Sequence, residues 1–345
     1  MNTARITYSY PLQKKDDIML TVTGEQITQN ADAFYEQNCR QEPRNAIEKF
    51  ELFIAEKRFL DKAAFNQFLQ ELKSEIESQQ LVSSREEIVE MLTKIRSVFR
   101  ESPFAERVQK WPRGYQGDFE TIDYIMKAKN KAKEGTFGYV LEDFFLNSDI
   151  CKQHKNKVER QAQLIKQTIS AKKDARIISI GCGTSEDIKC CIAEIQKSKA
   201  KITLVDVDQN AIDFSLHQLS GIKDRVTSLT GNIYKLMRTL TEKYDLMLIG
   251  GVFDYLNDKT IVSVLSSLRA NLADGGKLFF TNIDKNNPYR AFMEYTSDWI
   301  LIERSKSDLA KLITDAGWPE ASCQTGKDNT GLTHLVELND CKLMA

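Results

Sequence analysis

Residues 177–183 read Ile-Ile-Ser-Ile-Gly-Cys-Gly, an apolar run that ends in two closely spaced glycines. An amphipathic, helical pattern begins a few residues later, after Thr184 and Ser185. Glycines at a strand-to-helix turn let the backbone approach a ligand closely, and the first turn of a helix offers free N–H groups. The stretch therefore predicts the first strand and the ligand-binding loop of an α/β domain.

Further apolar runs follow this strand at intervals of about 25–45 residues, with helical stretches between them. They are ITLV at 202–205, LMLIG at 246–250 and KLFFTNI at 277–283. This alternation predicts an α/β fold with a Rossmann-like, doubly wound and mostly parallel sheet. Residues 322–339 read as two strands around a polar turn that contains glycine, which predicts an antiparallel hairpin that closes the sheet.

The first 100 residues differ in kind from the rest. Gly24 is the only glycine among them, and apolar side chains recur at helical spacing over residues 45–100. Ser84 and Glu87 match a capping box at the start of one such helix. The less regular alternation at 4–10 and 18–23 predicts two short strands.

These patterns predict three parts of the chain. Residues 1–100 are expected to form a mainly helical N-terminal cap that closes the site, although their apolar faces could equally form a dimer surface. Residues 101–150 are expected to form a connecting loop and helix that contribute to the site. The α/β domain is expected to occupy residues 151–345.

The composition excludes several classes of function. Of the 345 residues, 41% are hydrophobic and 28% are charged, as in an ordinary folded protein. Lys and Arg number 48 against 49 Asp and Glu, and this net charge of −1 argues against a nucleic-acid partner. No apolar run suits a membrane span and no signal peptide is recognisable, which predicts a cytoplasmic protein with no membrane partner. Seven cysteines without a Cys-x-x-Cys pair and three scattered histidines indicate neither a metal site nor a disulfide framework.

Further landmarks follow the glycine loop in the order of the strands. Asp206 ends the second strand, 23 residues after Gly183, where a carboxylate can accept hydrogen bonds from both hydroxyls of a ribose. Asn232 follows the third strand-like segment, and Gly250 ends the fourth. Glu186 stands where a dinucleotide-binding loop has its third glycine, so a pyrophosphate would meet a carboxylate there. The pattern therefore favours a nucleoside ligand other than a dinucleotide.

Together these landmarks resemble the class I S-adenosylmethionine-dependent methyltransferases. The resemblance includes the segment Gly-Gly-Val-Phe-Asp-Tyr-Leu at 250–256 and the turn at 272–276. It implies S-adenosyl-L-methionine as the cofactor. The positions that it assigns to cofactor binding are Gly181, Cys182, Gly183, Asp206, Val207, Asn232, Ile233, Gly250 and Phe253.

A narrower resemblance covers about residues 105–340. Its signatures are the segment at 111–123, Trp-Pro-Arg-Gly-Tyr-Gln-Gly-Asp-Phe-Glu-Thr-Ile-Asp, and the segments at 299–305 and 330–337. These are similar to a bacterial methyltransferase group assigned to the biosynthesis of 3-hydroxypalmitic acid methyl ester. Many class I enzymes have an acid two residues before the first glycine, whereas this chain has Ser179, as the narrower group does. The methionine amine is therefore expected to be held by another residue.

The signatures of the narrower group supply the candidates for acceptor binding and catalysis. Arg113 offers a guanidinium fork for a carboxylate, and Tyr115 offers a phenol in a loop flanked by glycines. The same loop could instead be a boundary turn in which Asp118 caps a helix over 119–131. The residues expected to bind the acceptor are Arg113, Tyr115, Glu120, Trp299 and Arg304, and those expected to act in catalysis are Tyr115, Asp254 and Tyr255.

Some of these residues have an ordinary structural alternative. Trp299 and Arg304 could simply pack the helix after the fifth strand, and Phe253 could belong to the core.

The chemistry of methyl transfer narrows the acceptor. Because the reaction is an in-line displacement on a sulfonium, the protein must align the reactants and stabilise the cation more than supply an acid or base. A carboxylate acceptor is ionised at neutral pH and needs no base, and no histidine lies in a strand-end motif. We therefore expect O-methylation of a small-molecule carboxylate or hydroxy acid in secondary metabolism or signalling, by a protein that could form a homodimer.

Two other functions stay open at this point. A pocket that folds the methionine amine onto its own γ-carbon would make azetidine-2-carboxylate and release methylthioadenosine on the same fold. A degenerate fold would bind the cofactor without turnover, although the retention of Gly181, Gly183, Asp206 and Asn232 argues against this.

Overall fold

The computed structural model of the protein describes residues 46–237 and 239–339. The strands predicted at 4–10 and 18–23 lie outside these residues. The helices before the sheet are α1 (Ala46–Ala55), α2 (Lys62–Gln79), α3 (Arg85–Met91), α4 (Thr93–Phe99), α5 (Pro103–Lys110), α6 (Phe119–Lys127), α7 (Phe137–Asn147) and α8 (Asp149–Ala171).

The remaining elements alternate between strands and helices. They are β1 (Arg176–Ile180), α9 (Glu186–Lys189), α10 (Ile192–Gln196), β2 (Lys201–Asp206), α11 (Gln209–Gln218), β3 (Val226–Thr230), α12 (Ile233–Met237), β4 (Tyr244–Ile249), α13 (Asp258–Arg269), β5 (Leu272–Ile283), α14 (Lys306–Asp315), β6 (Cys323–Lys327) and β7 (Thr333–Asn339).

The seven strands form one sheet in the order β3-β2-β1-β4-β5-β7-β6. Strands β1 to β5 are parallel, whereas β7 runs antiparallel to both β5 and β6. The strand order reverses at β1, since β2 and β3 lie on one side of it and β4 and β5 on the other. The predicted α/β fold, a doubly wound and mostly parallel sheet closed by an antiparallel hairpin, is confirmed.

The turn after β1 requires its glycines. Gly181 and Gly183 have φ of +66° and +51°, a region that residues with a β-carbon rarely adopt. A β-carbon on Gly181 would also lie 2.3 Å from Cγ2 of Val252, in the loop after β4. The single helix predicted after this turn is divided into α9 and α10. Cys191 leaves helical geometry between them, where its thiol donates to the Ala162 carbonyl of α8 (3.4 Å).

The helices before the sheet share an aromatic core centred on Phe137 in α7. The rings whose centroids lie 5.8–6.1 Å from that of Phe137 belong to Phe50, Phe59, Phe65 and Phe99. The same core continues into the segment after β5, where it includes Phe292, Tyr295 and Trp299. The boundary predicted near residue 100 therefore falls inside a continuous core, and the proposed division at residues 100 and 150 stays a prediction.

Asp298 anchors the segment after β5 to the N-terminal helices. Its carboxylate accepts hydrogen bonds from Arg85 in α3 (2.6 Å) and from Arg96 in α4. Arg96 also donates to the carbonyl of Tyr295 (2.5 Å). Because Trp299 directly follows Asp298, the N-terminal helices hold the backbone from which the indole extends.

The predicted helix starts can be compared with the structure. Ser84 and Glu87 form both hydrogen bonds of a capping box on α3, and Asp118 accepts hydrogen bonds from two backbone N–H groups at the start of α6. The predicted end of α6 is wrong. The helix stops at Lys127 rather than at residue 131, because Ala128 adopts a left-handed φ of +46°.

Three further properties concern residues 46–237 and 239–339 alone. No helix among them is both long and apolar enough to cross a membrane. They contain no group of three or more His, Cys, Asp and Glu side chains that could hold a metal ion. Their cysteines are free thiols, and those of Cys151, Cys182 and Cys191 are buried.

Replacing Phe137 by Ala should destabilise the protein by about 3–5 kcal/mol, because the aromatic core would retain a cavity. Denaturant unfolding followed by circular dichroism measures this change. As a control, Leu81→Ala truncates a side chain that is 85% exposed, so the free energy of unfolding should change by less than about 0.5 kcal/mol. Equal effects of the two substitutions would contradict the central place of Phe137.

Candidate active site

A cavity of about 790 Å³ lies at the carboxyl edge of the sheet, where the strand order reverses. Ligands of open α/β sheets usually bind at this point, and pockets of about 300–1,000 Å³ accept small molecules. The loops after β1, β2, β3 and β4 form one side of the cavity. Helices α5 to α8 and residues 289–301 form the other side.

The loop after β1 is held by hydrogen bonds to the end of β2. Asp206 accepts from the Gly183 N–H with Oδ2 (2.9 Å) and from the Asp208 N–H with Oδ1 (3.1 Å). Ser215 of α11 donates to the Gly183 carbonyl (2.8 Å). Burial raises the pKa of Asp206, and the backbone donors oppose that shift. Each carboxylate oxygen keeps a lone pair for a further donor, such as a ligand hydroxyl.

The candidate cofactor positions follow one another along the sheet edge. Asn232 comes after β3, Asp206 ends β2, Gly181 follows β1 and Gly250 follows β4. A β-carbon on Gly250 would lie 2.3 Å from Oε1 of Gln161, so the loop after β4 packs tightly on α8. Asp206 offers a carboxylate for a ribose diol, Asn232 offers an amide for a base, and the glycines let the backbone approach a ligand closely. Together these features fit an adenosyl group.

Most of the positions predicted to bind the cofactor line this cavity. They are Gly181, Cys182, Gly183, Asp206, Val207, Asn232, Ile233 and Gly250. Phe253 does not. Its ring is fully buried and packs against Phe280 at a centroid distance of 5.0 Å. The prediction for Phe253 is therefore corrected, because the side chain points into the core beneath the sheet edge.

Comparison with protein families supports the ligand class that this geometry suggests. Residues 178–278 match the family model of a methyltransferase domain. The expected cofactor, S-adenosyl-L-methionine, is confirmed. The matched stretch runs from β1 into β5 and contains all the loops of the cofactor side. A search of the curated proteins found no match.

Solved structures with a similarity to this chain include three examples. A protein from Bordetella parapertussis, described as a possible exported protein, has a TM-score of 0.53 and 13% identity over 64% of this chain and 79% of its own. A proposed O-methyltransferase from Nostoc punctiforme PCC 73102 has a TM-score of 0.45 and 14% identity over 71% of each chain. Magnesium protoporphyrin IX methyltransferase from Synechocystis PCC 6803, with bound SAH, has a TM-score of 0.42 and 13% identity over 56% and 87%. At these identities and TM-scores, only the first structure supports the fold of this chain. None of the three identifies the acceptor.

The half of the cavity away from the cofactor loops has apolar walls, and we call it the apolar chamber. Among the described residues, none before Phe104 lines the cavity, so α1 to α4 support the chamber from behind. The methyltransferase match does not extend to these walls. The chamber is lined by Phe104, Val108, Ile122, Ile125, Phe145, Ile150, Phe292, Met293, Trp299 and Leu301.

Tyr255 and Trp299 place a polar contact inside the cavity. The indole Nε1 of Trp299 donates to the Tyr255 hydroxyl (2.9 Å). A β-carbon on Gly117 would lie 2.0 Å from that hydroxyl, so only glycine at this position allows the phenol its place. Desolvation raises the pKa of Tyr255, and the phenol therefore keeps a proton that it can donate to a ligand.

Arg113 and Tyr115 both donate hydrogen bonds to Asp208, which lies in the loop after β2. Arg113 donates to both carboxylate oxygens (2.6 and 2.7 Å), and the Tyr115 hydroxyl donates to one of them (3.0 Å). Tyr115 lines the cavity, but the Arg113 guanidinium does not and stacks over the ring of Phe119 instead. The prediction that Arg113 binds the acceptor is therefore corrected: the residue ties its loop to the ribose end of the cavity.

Glu120 and Arg304 also lie outside the cavity lining. Glu120 is exposed and pairs with Arg107 (2.8 Å). Arg304 is 2% exposed and donates to Asp258 (2.8 Å), to Asn282 (2.8 Å) and to backbone carbonyls at the end of the loop after β4. Both predictions of acceptor binding are corrected, because these charges are already paired with other residues outside the cavity lining.

The inner face of α8 contributes polar groups that the sequence analysis did not single out. His154, Lys157 and Gln161 recur at helical spacing and line the cavity. Gln161 donates to Asp187 (2.7 Å), and the His154 ring lies 6.2 Å from that of Trp299. Burial, and then the charge of Lys157, hold the pKa of His154 well below its usual value. The available signal was a row of polar residues on the side of a helix that directly precedes β1.

Asp254 lies in the short helical turn after β4 and is 4% exposed. Its Oδ1 accepts from the Asn282 amide (2.8 Å) and from the Ile283 N–H (2.7 Å). Within the described residues, Oδ2 accepts no hydrogen bond, and the residue lines the cavity. Burial raises the pKa of Asp254 to about 6, against the lowering effect of Lys157 and the backbone donors.

The raised pKa of Asp254 predicts a pH-dependent stability. Above about pH 6 the carboxyl group is ionised in both the folded and the unfolded protein, and its burial makes the ionised form less favourable in the folded protein. This loss of folding free energy disappears as the pH falls towards the ordinary Asp pKa of about 4. Asp254→Asn should therefore stabilise the protein by about 2–3 kcal/mol more at pH 8 than at pH 4. Denaturant unfolding at a series of pH values measures the difference.

Asp208→Asn is a matched control of opposite sign. Arg113 lowers the pKa of Asp208 to about 2, so its ionised form stabilises the fold throughout the neutral range. This substitution should destabilise the protein at pH 8, with a smaller effect as the pH falls towards 2. If Asp254→Asn changed the free energy of unfolding equally at all pH values, the pKa of Asp254 would not be raised by folding.

Proposed function

We propose that the protein transfers a methyl group from S-adenosylmethionine to an oxygen of a small-molecule carboxylate or hydroxy acid. The observation that carries this proposal is the continuity of the cavity. Loops that fit an adenosyl group open directly into the apolar chamber, with the Tyr255 phenol between the two. When bound, S-adenosylmethionine supplies an activated methyl group.

The residues of the chain would position the acceptor rather than activate it. The Tyr255 hydroxyl accepts from Trp299, so its own proton is directed towards the cavity and can bind an acceptor oxygen. The chamber walls would hold an apolar body and exclude water from the reacting atoms. The ring faces of Tyr115 and Tyr255 could stabilise a sulfonium by about 0.5–2 kcal/mol.

A carboxylate acceptor agrees with the titratable groups of the cavity. The phenols of Tyr115 and Tyr255 have raised pKa values, so they act as donors and not as bases. Asp254 is the remaining acidic candidate among the predicted catalytic residues. Its carboxylate would be needed as a base for an alcohol, whereas an ionised carboxylate acceptor would need none.

The acceptor class can be tested with purified protein, S-adenosylmethionine and a panel of carboxylic acids, alcohols and amines with apolar bodies. We expect S-adenosylhomocysteine to form with carboxylic or hydroxy acids, because only these have an oxygen that is nucleophilic without a base. Turnover confined to amines would contradict the proposal. Release of methylthioadenosine in the absence of any acceptor would instead show cyclisation, and cofactor binding without turnover would show a binding protein.

Tyr255→Phe should lower kcat/KM for the accepted acid by about 10- to 100-fold, because a donor to a charged oxygen is lost. Steady-state kinetics with S-adenosylhomocysteine detection measures the effect. Tyr139→Phe, in α7 and outside the cavity lining, is the control and should leave kcat/KM unchanged. Equal rates for Tyr255→Phe and the unmodified protein would exclude the phenol from acceptor binding.

Several finer expectations remain predictions from the sequence. They are membership of the group assigned to 3-hydroxypalmitic acid methyl ester, a role in secondary metabolism or signalling, a cytoplasmic location and a homodimer. The capping role of residues 1–100 belongs with them.

A further inference from the structure

Two buried groups of opposite charge flank Gly251, just beyond β4. Nζ of Lys157 and Oδ2 of Asp254 lie 3.2 and 3.8 Å from the position that a β-carbon on Gly251 would take. Gly251 has φ of +93° and no side chain, and among the described residues outside its chain neighbours no other heavy atom lies within 4 Å of that β-carbon position. Both charged residues line the cavity. The absence of a side chain at residue 251 therefore leaves room for a ligand group between a cation and an anion.

Neither charged atom has a direct partner in the part of the chain that the structure describes. Lys157 is 6% exposed, and its ammonium makes no hydrogen bond or ion pair there, although the carboxylates of Asp254 and Asp328 act on it at longer range. Asp254 uses only Oδ1, and Oδ2 stays without a donor. Because both residues line the cavity, a ligand that carries both an anionic and a cationic group can reach these two atoms and compensate their charges.

The position of the pair along the sheet edge indicates which ligand group reaches it. Asn232 after β3 suits the base, and Asp206 at the end of β2 suits the ribose. The next strands in the sheet are β1 and then β4, each about 4.8 Å further on. The part of the cofactor beyond the ribose is its methionine arm, which ends in a carboxylate and an ammonium. That arm would extend towards Gly251, at the end of β4.

Resting on the proposed function, we propose that Lys157 and Asp254 bind the two charged ends of the methionine arm, Lys157 the carboxylate and Asp254 the ammonium. Gly251 provides the gap between them. The pair supplies the contact to the amine for which Ser179, at the end of β1, offers no carboxylate. Gln161 supports this arrangement from one turn further along α8, where it packs against Gly250 and binds Asp187.

The test compares ligands that differ only in the arm, with dissociation constants from isothermal titration calorimetry. Lys157→Met should raise the dissociation constant of S-adenosylhomocysteine by about 10- to 100-fold. The dissociation constant of 5′-methylthioadenosine, which lacks the amino-acid group, should change by less than about twofold. The unmodified protein should prefer S-adenosylmethionine to its decarboxylated form, and Lys157→Met should remove this preference. Asp254→Asn should likewise weaken S-adenosylhomocysteine but not 5′-methylthioadenosine.

Two further variants separate binding from folding. Lys152→Met removes a lysine from the same helix whose side chain is 54% exposed, and it should change none of these constants. Lys157→Arg keeps the charge and should retain part of the preference for the carboxylate, even if Lys157→Met lowers the melting temperature.

The outcomes distinguish this inference from the function on which it rests. If Lys157→Met weakens 5′-methylthioadenosine and S-adenosylhomocysteine equally, or neither of them, the arm does not contact Lys157 and the inference is overturned. If the unmodified protein binds no adenosyl compound at all, the proposed function fails and the inference fails with it.

Discussion

The hydrogen bond from the Gly183 N–H to Asp206 (2.9 Å) is the contact on which the site depends. It joins the turn after β1 to the end of β2, at the point where the strand order of the sheet reverses. A buried carboxylate is costly unless donors compensate it, and a left-handed glycine turn is unfavourable unless contacts hold it. Each therefore stabilises the other. The same bond leaves lone pairs of the carboxylate free for a further donor, so the contact that holds the turn is compatible with the proposed ribose contact.

The helical part of the protein acts on the site through packing. The rings around Phe137 and the ion pairs of Asp298 hold the segment that carries Trp299, and Trp299 in turn orients the Tyr255 hydroxyl. A chain of contacts therefore connects α3 and α4 with Tyr255 in the cavity, although neither helix lines the cavity. The sheet loops form the side of the cavity that fits an adenosyl group, whereas the helices form the walls of the apolar chamber.

Two buried groups with unfavourable electrostatics, Lys157 and Asp254, line the cavity. Within the described residues, the Lys157 ammonium and Oδ2 of Asp254 have no hydrogen-bond partner, whereas Oδ1 of Asp254 accepts two hydrogen bonds. Desolvation lowers the pKa of Lys157 and raises the pKa of Asp254. Such groups lower stability in the unliganded protein, and a zwitterionic ligand would satisfy both. Natural sites commonly retain this kind of strain because the ligand, and not the fold, completes the hydrogen bonding.

The sequence by itself determined the sheet and the cofactor loops. The strand-glycine-helix pattern at 177–183 and the positions of Asp206 and Asn232 after strands are recognisable in the sequence. Because the ends of parallel strands meet at one edge of the sheet, these residues are expected to lie together there. The roles of Arg113, Glu120, Phe253 and Arg304 were decided only by the tertiary structure. Each of these side chains is paired or packed by residues distant in the chain, such as Asp208 for Arg113 and Phe280 for Phe253. The opposed charges of Lys157 and Asp254 come from a helix before the sheet and a turn after β4, and only the packing of α8 across the strand ends brings them to the two sides of Gly251.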